Sequence, residues 1–182
     1  MPNWCSNTLT LGHSDPAEIA RAVEAFKRGE LLNEFVPLPE SENENWYDWH
    51  IANWGTKWDV GGDSYGDPSI TEDGRSMSVN FDSAWSPPTQ WYENMQALGF
   101  DITAMYYEPG MCFAGKYDEH GDESYEFSGL TSDEVRDALP QDLDDMFAIS
   151  ETMADYEDEE PLTEWYVEGA KKKGLIKDDG DD

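Results

Sequence analysis

The chain has 182 residues, with 41 aspartates and glutamates against 11 lysines and arginines, for a net charge of −30. That balance argues against gripping nucleic-acid phosphates or an anionic membrane surface, both of which need positive charge. The 38% hydrophobic and 13% aromatic content still predicts a folded chain, and no apolar run is long enough to cross a bilayer.

The acid is uneven. Residues 1–116 hold 18 acids and 6 bases, and residues 117–182 hold 23 acids and 5 bases. The segment "MPNWCSNTLTLG" has neither a basic start nor an apolar stretch of the kind a signal peptide shows, so the expected location is cytoplasmic. Cys5 and Cys112 are expected as reduced core residues. Two cysteines cannot hold an iron–sulfur cluster that needs four.

Taken in order, "WCSNTLTLG" (4–12) alternates and reads as a strand. "SDPAEIARAVEAFKRGE" (14–30) reads as a helix: Asp15 caps it, Pro16 takes the first helical position, Glu18 follows, and Gly29 ends it. Ile19, Val23 and Phe26 form its apolar stripe. Residues 31–45 read as a loop carrying two prolines. "WYDWHIANWGTKWD" (46–59) reads as a short helix stopped by Gly55, with Trp46, Trp49 and Asn53 on one face.

Residues 59–74 are turn-rich with room for a short strand. Within 75–85, Met77, Val79 and Phe81 alternate with Ser78, Asn80 and Asp82, as in a half-buried strand. Residues 86–100 predict a helix ending at Gly99. Residues 101–110 and 111–129 predict strands, with turns at "EPGM" and "DEHGDE". The order of elements suits an α+β sandwich with helices on one face of an antiparallel sheet, near the split β-α-β plan.

After Gly129 the chain predicts short acidic helices, capped at Thr131 or Ser132 with Glu134 following and broken by Pro140 and Pro161. The expected organisation is a domain over 1–129 with a tryptophan-rich insertion, an acidic helical extension over 130–174, and a tail over 175–182.

"MPNWCSN", "NWGTKWD" (53–59), "AWSPP" (84–88) followed by a tryptophan, and "YYEPGMCFAGKY" (106–117) together resemble the YubB-type ferredoxin-like domain family. The resemblance spans about residues 1–128. It implies a ferredoxin-like α+β sandwich and an origin on plasmids, phages or related mobile elements. It brings no catalytic site.

No nucleophile–base motif, P-loop or dinucleotide-binding glycine pattern is present, so no catalytic residue is assigned. His13, His50 and His120 lack ligand spacing, and the acids around "DEHGDE" do not fit a calcium loop, so no metal or cofactor is assigned. The eight tryptophans serve as core packing or as a partner-binding patch, with Trp54 and Trp58 as candidate anchors. Lys57 between them offers a cation–π contact or an anion site.

The acid reads either as a solvated coat or as nucleic-acid mimicry, with Asp142, Asp144, Asp145, Glu157, Asp158, Glu159 and Glu160 as the mimic row. The leading expectation is a non-enzymatic mobile-element protein that binds and inhibits a basic, nucleic-acid-handling host protein. The rival is a small-molecule or nucleotide pocket lined by Trp49, Trp54, Trp58 and Trp85 with Lys57.

Overall fold

The computed structural model describes residues 3–158. The chain divides into two units, Met1–Ser128 and Gly129–Asp182.

In the first unit, strands β1 (Trp4–Gly12), β2 (Ser69–Ile70), β3 (Ser76–Ala84), β4 (Asp101–Glu108), β5 (Phe113–Asp118) and β6 (Gly121–Glu126) form one antiparallel sheet in the order β2-β3-β1-β4-β5-β6. Helix α1 (Pro16–Arg28) follows β1, and α4 (Thr89–Ala97) follows β3. The β3-α4-β4 crossover brackets β1, which is the split β-α-β arrangement. The first four strands and these two helices make a ferredoxin-like α+β sandwich, and the β5–β6 hairpin widens its sheet.

Strand parity decides which face is covered. Cys5, Asn7, Leu9 and Leu11 of β1 are buried, as are Met77, Val79 and Phe81 of β3. Leu9, Leu11, Met77, Val79 and Phe81 share one cluster with Ile19, Val23 and Phe26 of α1 and Trp91 and Met95 of α4. Thr10, Ser78, Asn80 and Thr103, on the other parity, are exposed.

Helix α1 forms where its local signals place it. The Asp15 carboxylate accepts the Ala17 N–H at 2.9 Å. Gly29, at φ 73°, closes the other end as its own and the Glu30 N–H bond back to Phe26 and Ala25. Gly115 has a packing reason. A side chain there would overlap the Tyr106 hydroxyl, which crosses β5 to donate to Asp122 Oδ1 at 2.8 Å.

The stretch after α1 departs from the expected loop. It contains helix α2 (Leu31–Phe35) and a 3-10 turn over Glu40–Asn45 before α3 (Trp46–Asn53). Helix α2 is started from a distance. The Asp59 carboxylate accepts the Leu32 and Asn33 N–H groups at 2.7 and 2.9 Å, and it also accepts Val60 N–H at 2.8 Å.

The second unit, over its described residues, holds α5 (Ser132–Ala138), α6 (Gln141–Phe147) and α7 (Ile149–Asp158). Thr131 and Glu134 form a reciprocal capping box at α5. Val135, Leu143 and Ile149 are fully buried.

Candidate functional site

The antiparallel register brings the four distinctive sequence stretches to one end of the sheet. Trp4 opens β1 opposite Ala84, the last residue of β3, and Glu108 ends β4 opposite Phe113 at the start of β5. The stretches are tied together by hydrogen bonds. Trp85 N–H donates to the Asn3 carbonyl at 2.9 Å. Thr56 Oγ1 donates to the Ala84 carbonyl at 2.9 Å, and the Ser86 hydroxyl donates to the Gly55 carbonyl.

Gly55, at φ 86°, lies against the backbone of Pro87, Thr89 and Gln90, where a Cβ would come within 3.2 Å of each. Asn7 Nδ2 donates to the Cys5 carbonyl and the Ser83 hydroxyl at 2.7 and 2.9 Å. The buried Glu108 carboxylate accepts the Gly110 and Met111 N–H groups and so folds the turn after β4. Burial pushes the Cys5 thiol up to about 12, which keeps it protonated and unreactive.

On this framework the tryptophans separate into two sets. Trp54 is buried, its Nε1 donates to the Val36 carbonyl at 2.9 Å, and its ring stacks on His50 at 3.8 Å. His50 Nδ1 lies 2.8 Å from the Lys57 carbonyl. Trp91 is fully buried and donates to the Leu32 carbonyl at 3.2 Å. The candidate anchor Trp54 is therefore a core residue. Helix α3 buries none of its residues fully, although Trp49 packs partly against the core and edge-on to Trp54.

The other set faces outward. Trp4, Tyr47 and Trp58 are 46%, 47% and 40% exposed. They form a row: the Trp4 and Trp58 rings are 6.0 Å apart, and Lys57 Nζ stands 4.7 Å from the Trp58 ring and 5.8 Å from the Tyr47 ring. Trp46 continues it, edge-on to Tyr47 at 5.9 Å.

Trp85 is 51% exposed and sits at φ 75°, a conformation costly for a bulky residue. Sequence reasoning named Trp58, Lys57 and Trp85 but passed over Trp4 and Tyr47. Parity carried the signal for Trp4, which is in phase with Ser6, Thr8 and Thr10 rather than with Cys5, Leu9 and Leu11.

A polar depression of about 220 Å³ lies elsewhere, against Tyr65, Gly66, Asp67 and the outer edge of β3. Among the described residues no group of three His, Cys, Asp or Glu side chains is placed to hold a metal ion.

The proposed acidic row is not one surface. Asp144 is buried, and its carboxylate accepts the Ser150 N–H at 2.7 Å and the Ser150 hydroxyl, at the start of α7. Glu157 accepts the Ser132 hydroxyl at 2.7 Å and its N–H at 2.8 Å, and these bonds hold its carboxyl below the usual range. Asp142 and Asp145 are exposed, as are Asp137, Glu151 and Asp155. Glu159 and Glu160, and the side chain of Asp158, lie outside the described residues. The acidic surface thus keeps Asp142, Asp145 and the exposed, Ser132-bonded Glu157, loses Asp144 to the interior, and gains Asp137, Glu151 and Asp155.

No protein-family model matches the sequence, and no curated protein matches it. Among solved structures the chain is similar to the crystal structure of protein api92 from Yersinia pseudotuberculosis, a DUF1281 protein. The identity is 11%, the match covers 71% of this chain and 99% of that one, and the TM-score is 0.37. A likeness at that level carries no argument about function.

Proposed function

We propose that this is a non-enzymatic mobile-element protein that captures and blocks a basic, nucleic-acid-handling host protein. The observation that carries the reading is the charge. Residues 129–158 alone hold ten acids and one arginine, and Asp137, Asp142, Asp145, Glu151 and Asp155 present theirs on the surface. Carboxylates held on short helices offer a basic channel what a phosphate backbone offers it. Association on such a surface is steered by charge and weakens with salt. Mobile-element origin rests on the resemblance to the YubB-type family.

The second reading is a small-molecule or nucleotide site, and Lys57 within the exposed aromatic row is the observation that favours it. Its pocket would have to form on Trp49, Trp58 and Trp85, since Trp54 is enclosed.

The test is a low-salt pull-down from host lysate, eluted by a salt gradient and read by mass spectrometry. Parallel baits carry Asp137→Asn, Asp145→Asn, Glu151→Gln and Asp155→Asn together, or Glu18→Gln and Glu24→Gln together. The expected result is a basic nuclease, helicase or restriction component, released by moderate salt and weakened more by the first set. Equal effects of the two sets would remove the second unit from the reading. Capture of nothing salt-sensitive would leave the acid as a solubility coat.

A further inference from the structure

Trp4, Tyr47 and Trp58 stay 40–47% exposed while Trp54 and Trp91 are buried in the core. Contiguous exposed aromatics mark interaction sites, and tryptophan is enriched among residues that dominate binding energy. The faces of indole and phenol rings attract cations, and a guanidinium gains further by stacking flat on them.

The row already holds one cation. Lys57 Nζ rests between Trp58 and Tyr47 at 4.7 and 5.8 Å. The neighbouring chain is acidic. Glu40, Glu42 and Glu44 precede the row and Asp48 lies within α3, none of them in an ion pair among the described residues. Electron-rich faces next to an acidic stretch of chain suit a cationic occupant with a flat head group.

We infer that the row Trp4–Trp58–Tyr47 is the seat for an arginine-bearing segment of the protein partner, with Lys57 as the intramolecular cation that holds the seat until the partner displaces it. The inference rests on the charge-based reading above and adds to it where the partner docks and through which side chain.

The experiment titrates the full chain with nonaarginine and nonalysine peptides, following tryptophan fluorescence and the salt dependence of binding. Equal formal charge cancels the long-range attraction, and guanidinium–carboxylate pairing is common to wild type and ring variants, so the fall in the arginine-over-lysine ratio on removing a ring reports stacking. Wild type is expected to prefer nonaarginine several-fold. Trp58→Leu and Trp4→Leu, both exposed and so tolerated by the fold, are expected to lower the ratio several-fold. Lys57→Met is expected to tighten nonaarginine binding by roughly 2- to 5-fold, the worth of one exposed cation–π contact.

Equal binding of the two peptides by wild type overturns the inference, as does an unchanged ratio in Trp58→Leu. Weaker nonaarginine binding in Lys57→Met also overturns it. Tight binding of ATP that Lys57→Met abolishes would instead assign the row to an anion. If both peptides bind equally with a steep salt dependence, only the docking seat fails. If neither binds at low salt, the charge-based reading fails with it.

Discussion

Replacing Trp54 should damage the first unit severely. Its indole is 2% exposed, its Nε1 donates to the Val36 carbonyl at 2.9 Å, and its ring stacks on His50 at 3.8 Å and meets Trp49 edge-on at 5.9 Å. Trp54→Ala removes all three and leaves a cavity at the C-terminal end of α3. Core tryptophan-to-alanine changes cost about 3–5 kcal/mol, and an orphaned carbonyl adds about 1 kcal/mol. Against a total stability of about 5–15 kcal/mol this is a large fraction.

With a urea dependence of about 2 kcal/mol per molar, the unfolding midpoint should fall by about 2 M. Far-UV circular dichroism is the assay, because removing a tryptophan changes fluorescence directly. Trp58→Ala, four residues on and exposed, should shift the midpoint by less than about 0.5 M. A Trp54→Ala midpoint as close to wild type as that of Trp58→Ala would refute the division of the tryptophans into buried and docking sets.

Three further outcomes follow from the same geometry. Burial pushes the Asp59 carboxyl up to about 6 from 3.8 despite its three N–H donors, so the folded chain holds this proton where the unfolded chain has released it. The stability advantage of wild type over Asp59→Ala should therefore be greatest near pH 4 and shrink by up to about 3 kcal/mol as pH rises through 6. Denaturation across that range checks it, and an advantage that grows with pH contradicts it. Gly115→Ala places a Cβ on the Tyr106 hydroxyl and 2.7 Å from the Glu123 carbonyl, so it should cost about 1–3 kcal/mol by overpacking, read as a lowered melting temperature. Asp144→Ala should raise hydrogen exchange at the Ser150 amide by roughly 10-fold, through loss of a cap worth about 1–2 kcal/mol. Asp145→Ala, on the exposed side, should leave it unchanged.

What the sequence made legible was local. Asp15, Pro16 and Gly29 fix α1 through bonds no more than five residues long, and the alternation of Met77, Val79 and Phe81 already states which side of β3 is covered. The rest depended on partners far along the chain. Leu31–Phe35 reads as loop because what starts it, the Asp59 carboxylate, lies 27 residues beyond Leu32. Trp54 and Trp58 are four residues apart around the expected helix stop at Gly55, and the sequence does not tell their environments apart. Gly55 at φ 86° ends the helix between them, so one ring turns into the core and the other into solvent. Asp144 and Asp145 are chemically identical, and only the left-handed turn at Ala148, φ 49°, brings Ser150 back to the first of them.

On the proposed function, a basic partner takes this protein in place of nucleic acid. The most direct measurement is competition: the complex captured at low salt is challenged with increasing duplex DNA at constant ionic strength, and the released partner is quantified. Nucleic-acid mimicry requires that DNA displace this protein and that the partner's own activity on DNA fall as this protein is added. A partner that stays bound at saturating DNA, with its activity unchanged, would contradict the claim.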